Sequence, residues 1–424
     1  MAASRLHGVA WIEYKMRLMG KPQPHPQTGL TRAEATHALV ASFLGWTLDA
    51  FDFFVLVFVL PAVAKEFHKS IADLAFTITA TLGLRPLGAL GFGWLADRYG
   101  RRMPLMINVI FYSLIEVASG LAPSYGWFLF LRALYGIGMG GEWGVGASMA
   151  MEAAPPRWRG LLSGLLQEGY AVGYLLAAAA YFLVFPHLGW RPLFFLGGAP
   201  ALLTLYIRAK VPESKAWERA RPESAAIRNA LRRNLPRFVY LVALMTMMSL
   251  ISHGTQDLYP TFLEKGRGLG PRTVATIAII YNLGAILGGL TVGWFSDHYG
   301  RRRAMIMAAL AGVASVPLWV FPHALIWLTA GAFLMQFMVQ GVFGVIPAHL
   351  SEMSPAEARG TFSGMAYQLG VLFASGAAYG EALIAQHLGY EAALAIVATT
   401  VLIGDATMIA IGKERKGSEL HSTD

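Results

Sequence analysis

Long apolar runs separated by short polar loops dominate the chain from residue 38 onward. Each run is long enough to cross about 30 Å of hydrocarbon as an α-helix. The runs are 38–63, 71–96, 104–122, 126–152, 161–186, 190–209, 236–263, 272–296, 304–322, 325–350, 361–386 and 389–411. This pattern predicts an all-α integral membrane protein with twelve transmembrane helices and both termini on one side of the bilayer.

The composition supports a bilayer protein. Of the 424 residues, 55% are hydrophobic and 14% are charged, and the mean hydropathy is +0.49. A soluble protein this apolar could not cover its surface with polar side chains. The chain has no cysteine, its histidines are dispersed and it has no ATP-binding loop, so we expect no enzyme activity, no metal site and no cofactor.

The placement of positive charge indicates topology. The net charge is +9, and most of the 34 Lys and Arg residues lie in the N-terminal tail, the even-numbered loops and the C-terminal tail. Cytoplasmic loops of membrane proteins carry this excess. We therefore expect cytoplasmic termini, a location in the inner or plasma membrane, the lipid bilayer as a partner and no nucleic-acid partner. Residues 7–19 are an expected amphipathic surface helix.

The chain repeats itself at an offset of 200 residues. The segment Asp97–Arg102 recurs as Asp297–Arg302 with one substitution, and the pair Ser-Gly at 163–164 recurs at 363–364. Two six-helix halves joined by a long basic loop are typical of secondary transporters, which bind substrate where the halves meet. The predicted organisation is an N-terminal tail 1–34, a first half 35–209, a linker 210–235, a second half 236–412 and a C-terminal tail 413–424.

Charged residues at the loops of the two repeats form a candidate conformational latch. They are Asp97, Arg101, Glu152, Arg159, Asp297, Arg301, Glu352 and Arg359. Exposed ion pairs contribute only about 0–1 kcal/mol each, so these residues could be mere surface charge. Their duplication favours a latch that closes the cytoplasmic side.

A polar stripe interrupts the seventh run. Its residues, spaced four apart and so on one helix face, are Ser249, His253, Asp257 and Thr261. Gln256 lies beside the stripe, and Pro260 predicts a kink at its end. Ionisable residues within a membrane span usually face a water-filled path or a partner. The stripe therefore indicates a substrate and proton path, with a helix–helix hydrogen-bond ladder or a capped loop as the alternative.

The first half carries further intramembrane charges. Asp49 and Asp52 share a face of the first run, and two nearby carboxylates in low dielectric cannot both ionise cheaply. One is expected to hold a proton, unless both bridge to neighbouring helices. Arg85 interrupts the second run, and a guanidinium can bind a carboxylate with two hydrogen bonds. We expect Arg85 to bind substrate, to pair with an internal carboxylate, or to do both in alternation.

The fourth run combines charges with glycines. Arg132 and Glu142 lie ten residues apart and face different sides of the helix, so they are not expected to pair. Glu142 is a proton site or half of a structural pair. Glycines between them let a neighbouring helix approach closely. Tyr170 in the fifth run and Gln368 in the eleventh are further candidate substrate-binding residues.

These motifs resemble those of the major facilitator superfamily. The resemblance rests on the duplicated Asp-Arg-Tyr-Gly-Arg-Arg loops, the Arg132-x3-Gly-x-Gly-x-Gly pattern and Pro212-Glu213-Ser214. Segments 48–53 and 140–144 are similar to its sialate/lactate proton symporter branch. The segment 252–261 is similar to the seventh-span signature of lactate and pyruvate permeases, although Ser249 stands where Asn is usual.

The resemblance implies a proton-coupled symporter of a small organic anion that works by alternating access as a monomer. Lactate or pyruvate is the expected substrate, and Asp52 is the family's usual first-span acid. The proton-coupling candidates are Asp49, Asp52, Arg132, Glu142, His253 and Asp257. The alternatives are transport of sialate, an aromatic acid or a dicarboxylate, and, from a different class, a nutrient sensor without flux.

Overall fold

A computed structural model describes residues 28–418 and residue 420 of the chain. The surface helix expected at 7–19 and most of the N-terminal tail lie outside the described residues. Ten helices in the described part are long and apolar enough to cross a membrane by themselves. Together with the remaining helices they form the predicted twelve spans in two six-helix halves, so the fold expectation is confirmed.

The spans of the N-terminal half are Arg32–Glu66, Ile71–Tyr99, Arg102–Gly120, Tyr125–Ala153, Arg159–Gln167 continued by Gly169–Leu188, and Arg191–Leu196 continued by Leu203–Lys210. Two short helices, Lys215–Ala220 and Ser224–Arg233, form the linker. The spans of the C-terminal half are Leu235–Gln256 continued to Gly266, Pro271–Tyr299, Arg301–Val320, Leu325–Gly344 continued by Ile346–Met353, Arg359–Ala374 continued by Ala377–Leu388, and Tyr390–Ile411. We refer to them as the first to the twelfth span.

Local sequence sets where several spans begin and end. Thr31 and Ser70 start the first and second spans, and each forms a reciprocal capping box with the acidic residue three positions later, which satisfies backbone N–H groups that have no helical partner. The second and eighth spans end at Gly100 and Gly300, whose φ values of 101° and 103° are strained for residues with a Cβ.

Glycines bring the second span against the fourth. A Cβ at Gly136 would overlap the carbonyl group of Thr81, and a Cβ at Gly140 would overlap that of Arg85. The eighth span packs on the tenth in the same way through Gly288. The close helix approach that the glycine pattern predicts is present, and it fixes the height of Arg85 in the bundle.

The two halves meet on the side of the bundle where the described chain begins and ends, which we call the terminal face. The fifth span touches the eighth where Gly164 faces Gly289, and the fourth touches the eleventh where Gly144 faces Gly364. Beyond Gly169 the fifth span packs mainly on the first span of its own half. The contact between the halves is thus concentrated at the terminal face.

Candidate functional site

A cavity of about 410 Å³ lies between the two halves. The N-terminal half contributes Trp46, Phe53, Leu82, Arg85, Gln167, Glu168, Tyr170 and Ala171. The C-terminal half contributes Ser249, Ser252, His253, Asp257, Asn282, Ala285, Gln340, Phe343, Tyr367, Val371 and Ser375. Both halves therefore supply polar and aromatic side chains to one space.

Arg85 is the one lysine or arginine that lines this cavity within residues 28–418 and 420. Its side chain is only 5% exposed, and its Nε has no hydrogen-bond partner among the described residues. Ala285, at the equivalent position of the second half, also lines the cavity. The guanidinium is consequently placed on one side of a roughly symmetric space, where it can bind an anionic group.

The stripe of the seventh span faces Arg85's cavity from the other half. His253 Nδ1 and Asp257 Oδ2 are 2.9 Å apart, and both side chains are more than one-third exposed. Ser249, two turns before Asp257, also lines the cavity, and its buried hydroxyl has no partner among the described residues. The α-helix ends at Gln256, so Asp257 lies at the point where the span bends.

Aromatic rings form much of the cavity wall. Trp46 stacks on Tyr170 with ring centroids 5.6 Å apart, and Trp143 stacks on Tyr367 at 3.9 Å. Gln167 accepts a hydrogen bond from Trp143 Nε1 at 3.3 Å, and its amide nitrogen lies 3.4 Å from the Tyr367 hydroxyl. Because Trp143 and Tyr367 belong to different halves, this stack joins the halves beside the cavity, which Tyr367 lines.

Three residues predicted to bind substrate do not line this cavity. The Gln256 side chain donates to Gln336 Oε1 of the tenth span at 2.9 Å, because it projects from a different face of the helix than His253 does. Gln368 is buried against the fourth span, with its amide nitrogen 3.5 Å from the Gly140 carbonyl oxygen. Thr261 lies beyond the bend at Asp257, which takes it off the stripe.

Glu168 lines the cavity at the point where the fifth span breaks. Its Oε1 is buried without a partner among the described residues, and it faces Gly289 of the eighth span. A carboxyl group at the junction between the halves is therefore in contact with the cavity.

The remaining proton-coupling candidates form a separate acidic cluster inside the N-terminal half. Asp49, Asp52, Arg132 and Glu142 are fully buried, and none lines the cavity. The Tyr135 hydroxyl donates to Asp49, 3.2 Å from Oδ1 and 2.7 Å from the carbonyl oxygen. Asn108 donates to Glu142 at 3.1 Å, so Glu142 and Arg132 have different partners.

Sequence reasoning missed Glu116 of the third span. This carboxylate is fully buried and pairs with Arg132, whose guanidinium also lies 4.1 Å from the centre of the Tyr135 ring. The signal was available in the sequence, because Glu116 is the one charged residue of the apolar run 104–122. A lone intramembrane carboxylate is a candidate functional residue by default.

The predicted latch residues of the first repeat are brought together at the terminal face. Asp97 accepts hydrogen bonds from the backbone N–H groups of Gly360 and Thr361, both at 2.8 Å, and from the Thr361 hydroxyl at 2.7 Å. These donors start the eleventh span, so Asp97 caps a helix of the opposite half. Arg101 binds Asp97 at 2.5 Å and Glu152 at 3.0 Å.

The second repeat forms the mirror arrangement. Asp297 accepts from the backbone N–H groups of Gly160 and Leu161 at 2.7 and 2.9 Å, which caps the fifth span. Arg301 binds Asp297 at 2.7 Å and Glu352 at 3.1 Å. All eight predicted latch residues are nearly or fully buried, which distinguishes them from solvated surface charge.

Two arginines, which are also predicted latch residues, bind the C-terminal segment. Arg159 binds Glu352 at 3.0 Å and donates to the carbonyl oxygen of Ser418 at 3.2 Å. Arg359 binds Glu152 at 2.7 Å and donates to the carbonyl oxygen of Leu420 at 3.1 Å. Each pair joins one half to the other, and the C-terminal segment contacts both.

Comparisons with known proteins agree with this architecture. A model of the Major Facilitator Superfamily matches residues 42–375 and 258–422. A probable 4-methylmuconolactone transporter of Cupriavidus pinatubonensis is 31% identical over 84% of this chain and 85% of its own length. A carboxylic acid transporter protein homolog of Saccharomyces cerevisiae is 28% identical over 90% of this chain and 68% of its own. The solved structure of the proton:xylose symporter XylE is similar with a TM-score of 0.73 at 19% identity, covering 92% of this chain and 98% of that one.

Proposed function

Because this chain belongs to the Major Facilitator Superfamily, and so is a multi-pass membrane transporter rather than an enzyme, we propose that it is a proton-coupled symporter of a small organic anion. The observation that carries the proposal is the cavity between the halves, where Arg85 of one half and the His253–Asp257 pair of the other line the same space. An anion held between the two halves is positioned to bias their relative movement.

Lactate or pyruvate is the first candidate substrate. One guanidinium in the cavity matches one carboxylate, and its planar fork provides two parallel hydrogen bonds. Ser249 and His253 can then contact the hydroxyl or keto group of a short acid. The resemblance of the seventh span to lactate and pyruvate permeases, and a relative named as a carboxylic acid transporter homolog, support this assignment.

A larger unsaturated or aromatic acid is the second candidate, and the cavity walls favour it. The cavity of about 410 Å³ lies within the range of about 300–1,000 Å³ that drug-sized ligands occupy, which exceeds the need of a three-carbon acid. Five aromatic side chains line it: Trp46, Phe53, Tyr170, Phe343 and Tyr367. A relative named as a 4-methylmuconolactone transporter fits this candidate.

Two sites are candidates for the coupled proton. His253 is paired with Asp257 at the cavity, and an arriving anion would compete with Asp257 for it and for Arg85. Proton uptake would relieve the repulsion between Asp257 and the bound carboxylate. The buried cluster around Asp52 is the alternative carrier. In either scheme the protein works as a monomer in the inner or plasma membrane, with the terminal face in the cytoplasm.

Counterflow in proteoliposomes tests the substrate assignment. Vesicles loaded with one unlabelled acid are diluted into trace labelled lactate, pyruvate, benzoate, 4-methylmuconolactone, sialate or succinate. Accumulation of labelled lactate or pyruvate supports the first candidate, whereas accumulation of the ring-containing acids alone supports the second. Counterflow with no acid of the panel, by protein shown to be folded, would contradict organic-anion transport.

A further inference from the structure

The ion pair between Glu116 and Arg132 is incomplete on both sides. Glu116 Oε1 has no partner within the described part of the chain, and the same holds for Nε and Nη2 of Arg132. Both side chains are fully buried. A buried guanidinium that uses only part of its donors can bind a second carboxylate without leaving its place.

Asp52 is the adjacent second carboxylate. A Cβ at Gly197 of the sixth span would overlap both the Glu116 side chain and Asp52 Oδ1, so the two acids lie side by side against that glycine. Neither oxygen of Asp52 has a partner within residues 28–418 and 420. Gly197 leaves the space that the Glu116 side-chain stem and Asp52 Oδ1 occupy side by side.

Other ionisable groups surround this pair. Asp49 approaches from the first span but is held by the Tyr135 hydroxyl of the fourth. Tyr112 of the third span packs against Tyr135, and its buried hydroxyl has no partner in the described residues. Arg132 is the cation that pairs with Glu116. Burying an uncompensated second charge would cost several kcal/mol, so one acid of the pair must be neutral.

We propose that Glu116 and Asp52 form a single proton-binding pair, in which Arg132 neutralises one carboxylate and the other carries the coupled proton. An O–H bond forms on a carboxylate oxygen of the acid that Arg132 does not hold, and it breaks when the proton leaves toward the other side of the membrane. In the conformation with the terminal face closed, Arg132 holds Glu116, so Asp52 carries the proton. The coupling part of this inference rests on the proposed function, whereas the sharing of one proton does not.

Infrared titration of the purified protein in lipid tests the shared proton directly. The C=O stretch of a protonated carboxyl group is measured across pH for the parent, for Glu116→Gln and for Asp52→Asn. In Glu116→Gln, Arg132 turns to Asp52 and keeps it ionised, so both variants should lose the same protonated-carboxyl band. If the band persists in Glu116→Gln, Glu116 is a permanently ionised structural partner and the proposal is overturned.

Transport measurements give a second readout. With the acid that shows counterflow, Glu116→Gln should retain exchange but lose accumulation driven by a pH gradient. Glu66→Gln is the matched control, because Glu66 forms a carboxylate–guanidinium pair with Arg191 at 2.6 Å on the exposed surface, and it should accumulate substrate like the parent. Accumulation by Glu116→Gln at the parent's level contradicts its role in coupling.

A double variant covers the case in which Glu116→Gln fails to fold. Removing one partner of a buried pair is more destabilising than removing both, so Glu116→Gln combined with Arg132→Gln should fold. With no guanidinium left to hold Asp52 ionised, this double variant should keep the band, and its loss would overturn the assignment of the proton to Asp52. A parent protein that shows the shared band but never accumulates an acid would contradict the proposed function and leave the proton pair supported. The two failures are therefore distinguishable.

Discussion

Replacing Asp97 with Asn should open the terminal face. Asp97 accepts three hydrogen bonds from the opposite half, at 2.7 to 2.8 Å from Gly360 and Thr361. The side-chain amide nitrogen of Asn cannot accept a hydrogen bond, so at least one of the three hydrogen bonds is lost. The remaining ones become hydrogen bonds to a neutral acceptor. Hydrogen bonds to charged groups contribute about 1.5–3 kcal/mol each. We expect the closed form to lose about 3 kcal/mol, which is about a hundredfold in its population relative to the open form.

Cysteine labelling measures this shift, because the chain itself contains no cysteine. Ser148 is fully buried, one turn beyond the glycine contact between Gly144 and Gly364. In the background Ser148→Cys, Asp97→Asn should increase the rate of labelling by a membrane-impermeant maleimide applied from the terminal face. Asp73→Asn is the matched control, since Asp73 caps only its own helix, and it should leave the rate unchanged.

A second reporter separates opening from loosening of the whole bundle. Ser315 is buried inside the C-terminal half, where its hydroxyl donates to the Gly312 carbonyl group at 2.7 Å. A cysteine at this position should stay protected in Asp97→Asn. Unchanged labelling at Ser148→Cys, or equal increases at both reporters, would refute the role of Asp97 as a contact between the halves.

The other predictions concern the cavity and the helix packing. Arg85→Lys keeps the charge but loses the two parallel hydrogen bonds, so the rate of counterflow should fall sharply. Arg85→Ala should lower that rate further. Counterflow by Arg85→Ala at the parent's level would disprove substrate binding at Arg85. If the seventh-span pair carries the proton, His253→Gln or Asp257→Asn should abolish pH-driven accumulation while exchange partly survives, and accumulation by both variants would place the proton elsewhere. Gly140→Ala should lower the free energy of unfolding by about 1–3 kcal/mol through overpacking. Gly126→Ala, with open space around the added Cβ, should leave it unchanged. Equal melting temperatures of the two variants would show that the second and fourth spans are not tightly packed at Gly140.

The pattern of apolar residues was sufficient to predict the spans. A helix that crosses the bilayer must be continuously apolar, and the thickness of the bilayer sets its length. The repeat in the sequence was also sufficient to group the eight charged loop residues that contact one another in the structure, since it places the same charges at the same loops. The sequence also predicted a kink from Pro260, and the helix breaks beside that proline at Asp257. It could not give the break at Glu168, which depends on how neighbouring helices pack. The same limit applies to Gln256, whose position three residues from His253 on the helix does not reveal that it faces the tenth span.

Charge pairing across helices was the other part that periodicity could not supply. The structure pairs Arg132 of the fourth span with Glu116 of the third and keeps Asp52 of the first span beside that pair. The partner of a buried guanidinium depends on how each helix is rotated about its own axis. The spacing of residues within one helix contains no information about that rotation. An inventory of every charge inside an apolar run would nevertheless have included Glu116.

The two arginines that bind the C-terminal segment connect it to both halves of the protein. Ser418 and Leu420 receive hydrogen bonds from Arg159 and Arg359, which belong to different halves, and the Leu420 side chain is only 2% exposed. Force can reach this segment through a fusion partner, an affinity tag or a surface tether. Such a force would act on the contact between the two halves. Experiments with the protein immobilised by its C-terminus would therefore change the equilibrium they set out to measure, and attachment at another loop avoids this.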